Sequence, residues 1–232
     1  MNIEIALSVL NKGIDKIKFR NDYQYLVIHQ ISDGGDYSDS IRKLPENVRY
    51  IFSSEIGLSK SRNLAIKHAR AKYIWIMDDD VEIRDDAKEY IKELADKNSD
   101  APLLVVSHTL NNMQKDKVEK IRKLNIVTAS CICSIDMIIN VTKIENIRFD
   151  TDFGLGARYP SGEEYIFACN LIHSGHKVIK SNKICSYHPD DIGNVYPSKN
   201  ALKTKKNMFI RANDTFIGYL LFGAFIVKSL FK

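Results

Sequence analysis

The stretch from Gly57 to Ile83, GLSKSRNLAIKHARAKYIWIMDDDVEI, decides how the rest of the chain is read. Its centre, Tyr73, Ile74, Trp75, Ile76 and Met77, is apolar without alternation, the pattern of a strand covered on both faces of a parallel sheet. Asp78, Asp79 and Asp80 follow at the carboxyl end of that strand, where ligands bind in open α/β sheets. Adjacent carboxylates repel one another, and a hard divalent cation with oxygen ligands is the usual compensation. The competing reading is a solvated acidic turn capping the next helix. Asp85 and Asp86 are placed to serve that helix start, which leaves the metal reading ahead.

On the amino-terminal side, Leu58, Ala65, Ile66 and Ala69 form one helical face, and Arg62 falls on the same stripe. A guanidinium on a core-facing stripe needs an anionic partner. A structural carboxylate and a ligand phosphate or base are both natural candidates. Asn63 points partly away and can bond backbone.

Upstream, Ile3 to Leu10 reads as a strand ending in a turn at Asn11 and Gly13. Tyr23 to Ile28 reads as a second, with His29 and Gln30 emerging at its end before the turn-rich ISDGGDYSDS, and Val48 to Phe52 as a third. Strands alternating with helical or loop connections argue for a parallel α/β sheet.

Downstream, Ala87, Tyr90, Ile91, Leu94 and Ala95 define an amphipathic helix, and Pro102 to Ser107 a strand. Met113 to Leu124 is polar with weak helical periodicity, and Ile126 to Ile139 reads as a strand running into a short helix. In the block from Arg148 to Pro189, Gly154, Gly156 and Gly162 predict a flexible loop of the kind that closes over ligands. Glu163 and Glu164 then open a helix with the stripe Tyr165, Ala168, Cys169, Leu171 and Ile172, stopped by Gly175. Lys177 to Lys180 and Lys183 to Tyr187 read as two short strands leading to His188. Taken alone, acidic residues at a helix start and a single histidine are structural features.

At 232 residues, 44% hydrophobic and 27% charged, the chain is a soluble globular protein of one large or two small domains. The formal charge is +5, with the excess late, at Lys199, Lys203, Lys205, Lys206 and Arg211. Such a surface suits anionic lipid or phosphorylated substrate; with no RNP sequence or zinc finger legible, nucleic acid is not expected. The cysteines at 131, 133, 169 and 185 show neither zinc spacing nor a disulfide pattern. They are expected as reduced, buried small hydrophobes in a cytosolic compartment. The start, MNIEIALSVLNKG, does not read as a secretory signal, so a cytoplasmic location is expected.

Taken together, GLSKSRN, YIWIMDDD, RFDTDFGLG, GEEYIF, HSG and YHP resemble, in order, the phrases of the nucleotide-sugar-dependent glycosyltransferases of family 2. The resemblance covers roughly residues 2 to 190. It implies the A-type glycosyltransferase fold, a single Rossmann-like, mostly parallel sheet flanked by helices, with a C-terminal helical extension. Residues 1–195 would be the catalytic domain, divided into a nucleotide-binding half (1–110) and an acceptor half (111–195), followed by a basic and apolar extension (196–232).

The resemblance further implies that Asp78, Asp79 and Asp80 form the D-x-D motif. Asp80 would bind Mn2+ or Mg2+, with Asp78 towards the ribose and near the metal and Asp79 on the donor. His188 would be a further metal or diphosphate ligand. Arg62 would reach the donor's base or diphosphate, and Glu164, beside Glu163, would be the catalytic base. The second strand ends HQISDGG where the family has Asp-Asp-Gly-Ser, so Gln30 and Asp33 stand in for the base-reading acid; the first strand lacks the usual Pro-Thr-Tyr.

The implied activity is inverting transfer from a nucleotide sugar to a glycan or lipid-linked acceptor, in bacterial surface polysaccharide synthesis. A sugar-phosphate nucleotidyltransferase is the alternative enzyme, although Leu7 to Gly13 does not supply the Gly-rich basic loop it would use. A degenerate transferase serving as a binding or scaffold subunit is the non-enzymatic one.

The tail Thr215 to Lys232 lies outside the resemblance. Its apolar run Phe216 to Val227 spans only roughly 18 Å as a helix against about 30 Å of hydrocarbon, too short for a crossing. With the lysines before it, residues 199–232 read either as an element docking on the inner membrane surface or a partner, or as a helix packed on the domain or in a homodimer.

Overall fold

The structure, a computed structural model, describes residues 2–110, 118–188 and 199–230. Its strands are β1 (Ile3–Leu10), β2 (Gln24–Gln30), β3 (Val48–Ser53), β4 (Tyr73–Met77), β5 (Glu82–Ile83), β6 (Leu103–Thr109), β7 (Ile121–Lys123), β8 (Met137–Asn140) and β9 (Val178–Tyr187). The helices are α1 (Ser38–Arg42), α2 (Leu58–His68), α3 (Ala87–Lys97), α4 (Glu163–His173), α5 (Lys199–Ala212) and α6 (Thr215–Leu230). All the strands join one sheet in the order β3-β2-β1-β4-β8-β6-β9-β5, with β7 also on β9.

Strand β4 sits inside this sheet as its unbroken apolar sequence requires. All five of its residues are buried. Ile74 and Ile76 face a layer built by Ala65 and Ile66 of α2 and by α4, whereas Tyr73, Trp75 and Met77 face α3 through Ile91, Leu94 and Ala95. Alternation along the strand thus feeds two cores, each side chain contributing about 1.5–3 kcal/mol of burial. Met208, Phe209 and Ala212 of α5 complete the first of them.

The expected parallel pairing holds for β3-β2-β1-β4. Beyond β4 the sheet is mixed: β8 is antiparallel to β4 and β6, β6 is parallel to β9, and β5 and β7 are antiparallel to β9. After β3 the chain returns across β1 to lay β4 on its other side, so the strand order reverses between β1 and β4. That reversal opens a crevice at their carboxyl ends.

Several local expectations are corrected. Residues 126 to 139 run in the opposite order, short 3-10 turns at Thr128–Cys131 and Ser134–Asp136 coming before strand β8. The Thr, Ser and Cys residues favour tight turns, and only the apolar end pairs in the sheet. The two strands expected at 177–187 are one, β9, because Ser181 and Asn182 keep pairing with β7 and the residue before it, while the ladder to β6 passes them with a bulge. In Met113–Leu124, residues 113–117 lie outside the described ones, and Ile121–Lys123 is strand, not helix. Asp85 and Asp86 do not cap α3 with their side chains; they pair with Arg20 and Lys183, each at 2.7 Å. Of the cysteines, Cys169 and Cys185 are buried but Cys131 and Cys133 are exposed.

Candidate active site

The two blocks that stood out in the sequence meet along a seam of hydrogen bonds. Helix α2 is preceded by Gly57 as its cap residue, with φ +133°, and has no side-chain cap; its first amide, of Leu58, donates to Leu155 O at 2.9 Å. The Ser59 hydroxyl donates to Phe153 O at 2.6 Å. Asn63 bonds the backbone of Phe149 in both directions, its amide donating to the carbonyl and its carbonyl accepting the N–H, each at 2.8 Å. Arg62 Nη1 then reaches Glu163 Oε1 at 2.9 Å and Glu164 Oε1 at 3.4 Å. The Leu58 bond satisfies one open amide of the first turn of α2, and the side-chain bonds fix the 149–155 segment and the start of α4 against the helix.

The glycine-rich segment preceding Glu163 is correspondingly held, which corrects the expectation of a flexible loop. Gly154 N donates to Tyr159 O at 2.8 Å, Tyr159 N to Asp152 O at 2.9 Å, and the rings of Phe153 and Tyr159 stack at 4.7 Å. Gly154 and Gly162 are required by their backbone: φ is +105° and +108°, and a Cβ at 162 would lie 2.7 Å from Met208 Cγ.

At the crevice between β1 and β4 lies a cleft of about 590 Å³, a size suited to a small-molecule ligand. Ser8 to Leu10, Gln30, Arg62, Asp78 to Asp80, Glu163, Glu164 and His188 all line it. His188 Nε2 is 3.3 Å from Asp80 Oδ1, although the sequence separates them by more than a hundred residues. Asp79 turns partly away: its Oδ2 occupies the place a side chain at Gly13 would need. A second cavity, of about 470 Å³, lies behind the same three aspartates and is edged by Lys16, Lys18 and Arg20.

The remaining sequence candidates behave differently. Gln30 lines the cleft, but its amide donates to the carbonyls of Glu55 and Gly57, the latter at 3.2 Å, and so braces the turn entering α2. Asp33 is exposed and is not brought to the cleft. Its carboxylate accepts from the Tyr37 hydroxyl at 2.6 Å and Gly35 N at 2.9 Å, an acidic residue closing its own turn. Arg62 carries the structural carboxylate partner that its place on a buried stripe demanded.

Negative charge is concentrated here. Burial pushes the Asp78 carboxyl above the ordinary carboxylate range, opposed by Arg62 and His188 and reinforced by Asp80 and Glu164. Burial and Asp80 likewise raise Asp79. The Glu163 carboxyl is pushed up to about 7, by burial first and by Glu164 second, against the pull of Arg62. Its Oε2 is buried without a hydrogen-bond partner among the described residues. Both line the cleft, but Glu163 is 4% exposed and Glu164 18%, so Glu164 is the more accessible of the two carboxylates.

The sequence did not point to the opposite wall, where His108, Cys133, Ser134 and Ile135 line the cleft. His108 Nδ1 lies 3.0 Å from Asp136 Oδ1, and Lys180 Nζ 3.7 Å from Asp136 Oδ2. His108, Cys133 and Asp136 place ligand atoms within 4.8 Å of one another. The lysine already supplies a positive charge there, so this trio is less suited to a cation than the aspartates. His108 emerges near the end of a sheet strand, as Asp78 does, and that position was the available signal.

A model of the family described as Glycosyl transferase family 2 matches residues 8–142, more than half of the sequence. The chain belongs to glycosyltransferase family 2. No curated protein matches this sequence. Among solved structures, S. aureus TarS 1-349 in complex with UDP is similar, with 14% identity, a TM-score of 0.63, and coverage of 97% of this chain and 71% of that one. The same TarS fragment has been solved with UDP-GlcNAc, at 14% identity, a TM-score of 0.61 and coverage of 97% and 72%. The mannosyltransferase PcManGT from Pyrobaculum calidifontis, in complex with GDP-Man and Mn2+, is 14% identical with a TM-score of 0.64, covering 97% of this chain and 69% of that one. These likenesses show the fold, the A-type glycosyltransferase fold. In this family-2 chain Arg62 and the aspartates fall inside the matched span, while Glu163, Glu164 and His188 lie beyond it; the seam carries in the two glutamates, and the end of β9, where His188 N donates to Thr109 O, carries in His188.

Proposed function

We propose that this glycosyltransferase is inverting and cation-dependent, moving a sugar from a nucleotide-sugar donor to a hydroxyl of a glycan or lipid-linked acceptor, in the building of a surface polysaccharide. The observation that carries the reading is the meeting of Asp78–Asp80, His188 and Glu164 in one cleft at the reversal point of the sheet. The similar structures solved with UDP, UDP-GlcNAc, and GDP-Man with Mn2+ support the donor class. On this reading residues 1–110 serve the donor, 111–195 the acceptor, and 196–232 form an appended element.

The donor set fits a divalent cation. Carboxylate oxygens and an imidazole suit Mn2+ or Mg2+, and Asp78, raised first by burial and further by Asp80 and Glu164, is a carboxylate whose charge a cation would stabilise. Asp80 and His188 would hold the ion, with Asp78 beside them. When bound, it supplies Lewis-acid stabilisation of the charge developing on the departing diphosphate.

The chain's own residues do the rest. Glu164 accepts the proton of the acceptor hydroxyl as that oxygen forms its bond to the anomeric carbon. The bond from that carbon to the diphosphate oxygen breaks, and the electron pair leaves with the nucleoside diphosphate. Arg62 and Glu163 position Glu164 by holding the start of α4 against α2. The cleft walls orient donor and acceptor so that attack comes from the face opposite the leaving group.

The test is a thermal-shift panel of UDP- and GDP-sugars, each with and without Mn2+. A ligand that binds only the folded state raises the melting point. At least one nucleotide sugar should do so, and by more in manganese. No response to any donor would favour a binding or scaffold subunit.

A further inference from the structure

Helices α5 and α6 leave a surface that the transfer reaction does not use. Helix α6 packs back on α5 so closely that a Cβ at Gly218 would lie 2.7 Å from Ile210 Cα. Leu221, Phe222 and Phe225 turn inward against the core. The opposite stripe, Phe216, Tyr219, Leu220 and Val227, is 73%, 50%, 58% and 55% exposed, at helical spacings of three, four and seven residues. Gly223 and Ala224 continue it, and Lys228 flanks its end.

Charge is segregated onto the same element. From Lys199 to Lys232 the sequence carries seven lysines and arginines and a single acidic residue, Asp214, a net of +6. The whole chain is +5, so everything before it sums to −1. Lys206 Nζ lies 5.0 Å from the centre of the Tyr219 ring, which places a cation of α5 at the edge of the apolar stripe. Lys203 is exposed one turn away.

We propose that the α5–α6 hairpin docks on the surface of an anionic lipid bilayer, with Phe216, Tyr219, Leu220 and Val227 inserted at the level of the headgroups and the lysines paired with lipid phosphates. An apolar stripe bordered by cations is complementary to such a surface in both hydrophobicity and charge. It is not complementary to a second copy of itself, because a dimer through this face would bring two +6 elements together. Among the described residues no helix is long and apolar enough to cross a membrane, so the contact is peripheral. The hairpin is seated on the helix that carries Glu164: Met208 of α5 packs under Gly162 at the start of α4. A bilayer held by α6 therefore lies on an element in direct contact with the cleft wall.

The test is flotation of the full chain with vesicles of phosphatidylcholine alone and of phosphatidylcholine with phosphatidylglycerol. Flotation is expected only with the anionic vesicles, and high salt should weaken it. A Phe216→Ser/Leu220→Ser variant and a Lys203→Glu/Lys206→Glu variant should each lose about tenfold or more of vesicle binding. All these positions face solvent at least in part, and an unchanged melting point verifies that the variants fold. Absence of flotation with anionic vesicles, or equal flotation of either variant, overturns the proposal. A dimer in sedimentation that Phe216→Ser/Leu220→Ser dissociates, without vesicle binding, assigns the stripe to a second copy and overturns it too.

Discussion

Arg62 Nη1 lies 2.9 Å from Glu163 Oε1, and the pair joins α2 to α4 across 101 residues of sequence with almost no solvent contact. Removing one member of a buried ion pair leaves an uncompensated charge in the interior, at a cost of about 3–5 kcal/mol. Arg62→Met should therefore destabilise the fold by that order in urea unfolding. Arg62→Met/Glu163→Leu should recover much of the loss, because only the partly exposed Glu164 is then left without the arginine. A single-variant loss below about 1 kcal/mol would show that the pair does not hold the helices together.

Burial and the neighbouring Glu164 push the Glu163 carboxyl up to about 7, against an ordinary value of 4.5. Between those values the folded protein holds a proton that the unfolded chain has released, so stability is greatest below about pH 4.5 as far as this group is concerned. It declines as pH rises from about 4.5 through about 7, by an amount of order 3 kcal/mol. Glu163→Gln, which cannot ionise, should flatten the stability profile between pH 5 and 8. An unchanged slope would remove Glu163 as its source.

Glu164 is the more accessible of the paired carboxylates lining the cleft, and its replacement separates chemistry from binding. Glu164→Gln keeps the shape and removes the base. The expected result is a fall in kcat of about 10²- to 10⁴-fold, with nucleotide-sugar affinity within a few-fold of the parent. Full turnover in this variant would exclude Glu164 as the base.

Legibility in the sequence followed the range of the forces involved. Strand β4 was plain because burial on both faces leaves an unbroken apolar run, and α2 and α3 because their stripes are local. Asp78 to Asp80 were readable because they terminate that strand. The expectation for Cys131 and Cys133 failed because composition says nothing of which face a tight turn presents. The pairing of Arg62 with Glu163 was invisible beyond the statement that Arg62 required an anion, since sequence periodicity on one helix does not name a partner on another. His108 and Asp136 were missed for the same reason: they come from separate segments and meet only in the sheet. Asp33 has the place of a motif acid in the sequence, whereas a nearby tyrosine and amide satisfy it on the surface.

The proximity of Asp80 and His188 makes a paired test of the cation site. Asp80→Asn removes a charged oxygen donor and His188→Ala a nitrogen donor, and each should weaken Mn2+ binding by about tenfold or more in calorimetry. If the two bind the same ion, the double variant should lose less than the product of the single losses. Two unchanged affinities would place the ion elsewhere, with His108, Cys133 and Asp136 the next group to vary.

Gly162 offers a test of whether the packing of α5 sets the start of α4. Its φ of +108° is a conformation that L side chains rarely adopt, so any substitution costs at least about 1 kcal/mol. A Cβ there would also lie 2.7 Å from Met208 Cγ and 3.1 Å from Met208 Cβ, too close for the end of the side chain alone to yield. Gly162→Ala should therefore destabilise the fold by about 2 kcal/mol or more and lower kcat, because displacing α5 or the first turn of α4 moves Glu164. Adding Met208→Ala removes the collision but not the backbone cost. The double variant should be less destabilised than the two single losses combined, with a coupling of about 0.5–3 kcal/mol. Simple additivity would mean that Gly162 is required by its backbone alone and that α5 does not bear on the helix carrying the base.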